Sequence, residues 1–186
     1  MANPTASNVA VGKPKATGGV YSGATTATLP TNASAALDAS LTALGYVGED
    51  GLTQTKGQDI TKVHAWGGDV VKVLQTTDEL TYAWPFLEMT RAVFQEVFGV
   101  DNVSWVDANG TQKVVINSAQ LDYRSFVFEM LDNDTALRIV VPNGQITSIG
   151  DVTFVDGEPI SFPVTLECFP DASGNKAYWY FTKFHS

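Results

Sequence analysis

Cysteine is almost missing from this chain. Cys168 is the single one among 186 residues, which excludes an intramolecular disulfide and any zinc centre built on cysteine. It lies in the apolar run 164–169, where a buried, inert thiol is expected. Histidine is as scarce. His64 falls mid-strand and His185 near the C-terminus, with no carboxylate pattern beside either, so neither a metal site nor a catalytic triad is expected. Basic residues number 11 against 20 acidic ones, and the net charge of −9 argues against phosphate clamping of a nucleic acid or docking on an anionic membrane. No apolar run reaches the ~18 residues of a membrane-spanning helix, so no membrane anchor is expected. The first 30 residues hold no apolar core, so no secretory signal is expected and the chain reads as one kept in a cytoplasm-like compartment. Phosphate loops, nucleophile elbows, zincin helices and dinucleotide fingerprints are all missing, and no cofactor is expected. Gly18-Gly19 has neither a strand before it nor a helix after it.

What is present divides at about residue 40. Residues 1–40 are almost entirely Ala, Thr, Gly, Ser, Pro, Asn and Val, with only Lys13, Lys15 and Asp38 charged. Such a segment buries too little apolar surface to order itself, so a flexible N-terminal arm is expected, docking on a partner through Val9, Val11, Val20, Tyr21 and Leu29. Residues 41–186 form the expected single folded domain, and a hydrophobic fraction of 44% supports an ordinary core. Asp50-Gly51 separates Gly45-Tyr46-Val47 from residues 52–55. Residues 59–66 alternate at period two, which predicts a strand with one buried face. Gly67-Gly68 turns it into 69–77, and Thr77-Asp78 leads to a further strand over 79–84. After Pro85 the period changes: Phe86, Met89, Val93 and Val97 predict one amphipathic helix over about 86–99, starting a few residues after Pro85 and stopped by Gly99.

Hairpins then resume. Asn109-Gly110 separates 103–106 from 113–116; Pro142-Asn143-Gly144 separates 137–141 from a long strand over 145–154; Asp171 to Asn175 separates 164–169 from 176–181. Asn-Gly and Asp-Gly supply the positive φ that tight hairpins demand. Many short strands with one helix predict an antiparallel β-sandwich or barrel with a flanking α-helix and an extended N-terminal arm.

Glu49-Asp50 and Asp132-Asn133-Asp134 lack the oxygen-rich loop of a calcium site and read as turn residues. The sequons at Asn32, Asn102, Asn109 and Asn133 read as coincidence in a chain without a signal peptide. The acidic excess is either a solvated surface or one acidic wall of a sheet. One reading is a monomeric ligand- or carbohydrate-binding β-sandwich with Trp66, Trp84, Trp105 and Trp179 as stacking platforms. Trp66 and Trp84, however, sit in apolar runs, where large aromatics serve the core. An enzyme is not expected.

The stretch Leu44-Gly45-Tyr46-Val47-Gly48-Glu49-Asp50-Gly51-Leu52 resembles the opening of the body in major tail proteins, the tail tube proteins of long-tailed, non-contractile bacteriophages. The resemblance continues through Ile60, Ala65-Trp66-Gly67-Gly68-Asp69-Val70-Val71, Leu80-Thr81-Tyr82-Ala83-Trp84, Val93 and Val97 ahead of Phe98-Gly99, and Asp101-Asn102-Val103. It implies a β-sandwich subunit that closes into rings, typically hexamers, which stack into the tube that delivers DNA. It implies self-association, with tape-measure and tail tip or terminator proteins as partners, in the virion tail after assembly in the host cytoplasm. An acidic lumen would repel phosphate, so DNA passes without specific binding. No catalytic residue or metal transfers. Some members append a C-terminal immunoglobulin-like domain, which is not expected after Ser186. On this reading Val20, Tyr21, Leu29, Glu49, Asp50 and Lys56 are the expected inter-subunit contacts, and Asp59, Asp69 and Asp78 the expected lumen-facing acids, with Lys62 and Lys72 nearby to offset them. Deleting residues 1–36 is then expected to leave a folded body that builds no tube.

Overall fold

The computed structural model describes residues 9–15, 19–105, 110–132 and 135–182. Among them the chain is mainly β, its ladders antiparallel, with one α-helix on a flank. The order is β1 (Val20–Ala24), β2 (Thr42–Ala43), β3 (Thr53–His64), β4 (Val70–Phe86), α1 (Arg91–Phe98), β5 (Val103–Trp105), β6 (Gln112–Val114), β7 (Arg124–Asp132), β8 (Thr135–Ile149), β9 (Phe162–Cys168) and β10 (Tyr178–Phe181). Strands lie side by side as β2-β1-β7-β8-β9-β4-β3, with β10 also on β8 and β5-β6 a separate hairpin.

The core follows from alternation. Tyr82, Trp84 and Phe86 of β4 and Phe162, Val164, Leu166 and Cys168 of β9 are buried, while the residues between them are only partly so. That sheet folds over β7: the Trp84 ring lies 5.9 Å from Phe126 and 5.1 Å from Phe128, and Tyr82 5.4 Å from Phe128. Each such large side chain contributes about 1.5–3 kcal/mol by leaving water. The fold is possible because β8 is long. Its Leu137–Val140 half pairs with β10 and its Gly144–Ile149 half with β9, so one strand belongs to both layers. α1 begins where the Thr90 hydroxyl accepts from Val93 N at 3.3 Å and ends at Gly99, whose φ of 95° is open to glycine. It buries Val93, Phe94 and Val97, with Phe94 and Phe98 edge-on to Phe162.

Several sequence expectations change here. The helix is shorter than 86–99: Phe86 closes β4 and pairs with Phe162, and Met89 is exposed ahead of the helix. Pro85 does not stop the strand because it stands opposite Pro163, so both missing N–H donors fall on one rung. Thr77-Asp78 is no turn; β4 runs straight through it, paired with Asp59 and Gln58. Pro142-Asn143-Gly144 is also interior to a strand. The ladder slips there, with Ser125 Oγ donating to the Pro142 carbonyl (2.6 Å) and Phe169 N to that of Asn143 (2.8 Å), so neighbours use the polar groups a turn would have left free. Gly144 is needed for closeness: a Cβ would come within 2.9 Å of Leu166. The strand from Gln145 ends at Ile149, short of 154. Residues 45–47 supply only a bridge from Val47 to Phe86. The 171–175 turn exists, Asp171 Oδ1 accepting from Ser173 N and Asn175 N, but β10 leaves β9 for β8. Asn109 lies outside the described residues, although β5 and β6 pair as expected.

The segment expected as an arm is partly in the sheet. β1 pairs with β7 from Val20↔Phe128 to Ala24↔Arg124, and the chain before it continues along β7 through a Pro14↔Met130 bridge and Leu131 N to Lys13 O (2.8 Å). Arg138, 2% exposed, donates to Glu129 and to the carbonyls of Asn32 (2.7 Å) and Ala35 (2.8 Å), tying residues 32–35 to β8.

Candidate functional site

Only the lower part of β4, Thr81 to Phe86, is backed by β9. Above Thr81, β3 and β4 continue as a bare two-stranded ribbon to the turn at Ala65–Asp69, closed by Ala65 N to Asp69 O (2.8 Å). From Leu80 to Val70 it reaches roughly 33 Å at about 3.3 Å per residue. β3 is the last strand of its sheet, so its outer edge offers unpaired backbone groups.

The ribbon carries apolar side chains in water on both faces. Trp66 at the turn is completely exposed (108%), and Ile60, Val63, Val70, Val71, Val73 and Leu74 are all between 39% and 61% exposed. The expected buried face over 59–66 is therefore not buried within this chain, because no third strand or helix covers it. Trp66 is the opposite of a core residue. Over residues 57–77, the outer part of the ribbon, Asp59 and Asp69 balance Lys62 and Lys72.

Its base is fixed by polar clasps. Asp78 Oδ2 lies 3.7 Å from Lys176 Nζ and its Oδ1 4.0 Å from Lys56 Nζ, while Lys176 also donates to the Asp78 carbonyl. Tyr82 OH donates to Gln54 (2.7 Å) and accepts from Trp179 Nε1 (3.0 Å); burial pushes its pKa up to about 12, so it stays a phenol. Higher up, the slip between Asp59 and Ile60 is locked by Asp59 N to Thr77 Oγ1 (3.0 Å) and Thr77 Oγ1 to Asp59 Oδ2 (2.9 Å).

The sequence-predicted contact residues are dispersed. Val20 is 2% exposed and packs in the core, so it is unavailable to a neighbour; its pairing opposite Phe128 is the reason. Tyr21 and Leu29 are half-buried against Leu41, Val127 and Val140. Glu49 and Asp50 are exposed in the turn before β3, on the rim of an 850 Å³ groove that also carries Glu158. Lys56 meets Asp78 at the ribbon base. Of the three acids, Asp59 and Asp78 occupy successive rungs and point to opposite faces, while Asp69 sits at the tip. The hairpin over 59–77 follows the sequence expectation; what the sequence did not reveal is that neither of its faces is covered by the rest of the chain.

Among the described residues no three His, Cys, Asp or Glu side chains gather where they could hold a metal. Asp132 accepts from Val11 N (2.9 Å), and Asn133 and Asp134 lie outside the described residues. His64 is exposed on the ribbon. Cys168 is buried and its thiol pushed up to about 12, as an inert core residue requires. Trp84 is core, and the side chain of Trp105 is outside the described part. No described helix is long and apolar enough to cross a membrane.

The phage tail tube protein family model matches residues 4–185, and the chain belongs to that family, whose role is structural and not enzymatic. No curated protein sequence matches it. Solved structures similar to this chain include the following two. One is the tube-terminating cap of the anti-feeding prophage, at 11% identity and a TM-score of 0.45 over 92% of this chain and 93% of that one. The other is the sheath–tube complex of PVC, an extracellular contractile injection system, in its extended state, at 10% identity and a TM-score of 0.46 over 95% and 98%.

Proposed function

We propose that this member of the tail tube family is the repeating tube subunit of a long-tailed, non-contractile phage. It closes into rings, hexameric as the resemblance over residues 41–103 implies, and the rings stack into the conduit that delivers DNA. Assembly takes place in the host cytoplasm with tape-measure, tip and terminator proteins. The observation that carries this reading is the β3–β4 ribbon. A two-stranded ribbon is marginal in water by itself, and one that exposes Ile60, Trp66, Val71 and Val73 is an aggregation hazard unless a neighbour covers it. Glu49, Asp50 and Lys56, at or near its base, join the contact. A net charge of −9 makes the subunit a poor phosphate binder, which suits a wall that DNA must slide past.

Negative-stain electron microscopy of the full-length protein, dilute and then concentrated, tests the reading. Hollow rings or tubes of uniform diameter are expected. A chain that stays monomeric at every concentration, even with isolated phage tail tips added as nuclei, overturns it.

A further inference from the structure

The ribbon ends in one fully exposed indole, and elsewhere the same chain carries a receptacle suited to it. A cleft of about 360 Å³ opens beside the C-terminal end of α1, with Val97 and Ile146 as its buried floor and Ile116 (78% exposed) and Ile149 (40%) among its lining. Its size is that of a small-ligand site and suffices for one large aromatic side chain. Gln145 and Gln120 also line it. Gln145 Nε2 donates to the Leu121 carbonyl, and the Gln120 amide offers an acceptor that a buried indole N–H needs.

We propose that Trp66 of one copy seats in this cleft of the next copy, as the anchor of a head-to-tail contact within the tube; this deepens the tube reading above and rests on it. Three observations carry it. The cleft and the tip cannot meet within one chain: Ile149 aligns with Val164 and Val164 with Trp84, and β4 from Trp84 to Val70 spans roughly 45 Å at about 3.3 Å per residue. No charged residue lines the cleft, and the outer ribbon over 57–77 is neutral, with Asp69 near its tip. The larger groove is the wrong partner, because Glu49, Asp50 and Glu158 line it without a compensating cation and would repel Asp69. Knob and hole are different patches of the chain, so the contact is heterologous, the kind that builds an open stack along a tube axis when its rotation does not close. Tryptophan in a desolvated pocket is also among the residue types enriched at interface hot spots.

The test uses the full-length chain in three forms: wild type, Trp66→Ala and Ile116→Arg. Neither substitution touches the core, so both variants should unfold like the wild type. Wild type should form tubes with a blue shift in tryptophan emission, and each variant should need at least about tenfold more protein to assemble. An oxidised mixture of Ala65→Cys and Ala119→Cys chains, which keep Trp66 and Gln120, should give cross-linked dimers that neither gives alone, Cys168 being buried. Wild-type tubes together with Trp66→Ala tubes at the same concentration, or a mixture without cross-links, overturn the anchor and leave the tube reading standing. A wild-type chain that never assembles, even with tail tips added as nuclei, overturns both.

Discussion

Arg138 is the bulkiest of the fully buried side chains, and it holds a charge where charges are costly. Glu129 neutralises it, and the carbonyls of residues 32 and 35 accept two of its other donors. Lys15, 3.2 Å from the other Glu129 oxygen, adds a partner at the surface. Arg138→Ala should therefore cost about 3–5 kcal/mol, because it strands Glu129. The pair Arg138→Met with Glu129→Leu should recover most of that in urea unfolding. A second buried carboxyl behaves differently. Glu96 accepts from Ser22 Oγ at 2.6 Å and from Arg124 at 2.7 Å, yet burial outweighs both and raises its pKa above the ordinary 4.5. The folded state then binds this proton more tightly than the unfolded chain, so its contribution is greatest below pH 4.5 and declines as pH rises through the range just above. Unfolding midpoints of wild type and Glu96→Gln, compared across that range, should show the decline in wild type alone.

At the scale of elements, the ribbon can be cut without touching the core. Replacing residues 60–75 with Asn-Gly, a tight hairpin turn, removes no buried side chain. The shortened protein should keep a cooperative melt near that of wild type and form no tubes by electron microscopy. How legible these elements were depends on the range of their causes. Alternation and turn glycines are local, so the Gly67-Gly68 turn, the β5–β6 hairpin and the helix core around Val93 and Val97 could be read directly. Pro142-Asn143-Gly144 failed because β7 and β9 supply partners from distant residues and absorb it as a bulge. β10 chose β8 over the adjacent β9 for the same kind of reason. Trp66 was misjudged because an apolar run has the same pattern whether its cover comes from its own chain or from another. The contact residues were harder still, since nothing local distinguishes Val20 in a core strand from Val20 in a docking arm.

For the molecule as a whole, residues 20–24 belong to the sheet although composition placed them in an arm. Deleting residues 1–36 removes β1 and uncovers the β7 edge at Phe126 and Phe128, so this truncation should be insoluble or lack a cooperative melt. Deleting only residues 1–8 should preserve the melt, and its tube yield then reports what the N-terminus adds to growth. The place of β1 also sets a timetable for synthesis. Val20 pairs with Phe128, made more than a hundred residues later. At about 5–20 residues per second, the first strand emerges and waits on the order of 5–20 s before its partner exists. Meanwhile the β3–β4 ribbon, local in sequence and rich in exposed valine, is already complete beside it. A leading segment poor in large apolar side chains gives that ribbon little to capture. The blandness of the N-terminus thus keeps the earliest-made strand of the sheet available for its last-arriving neighbour.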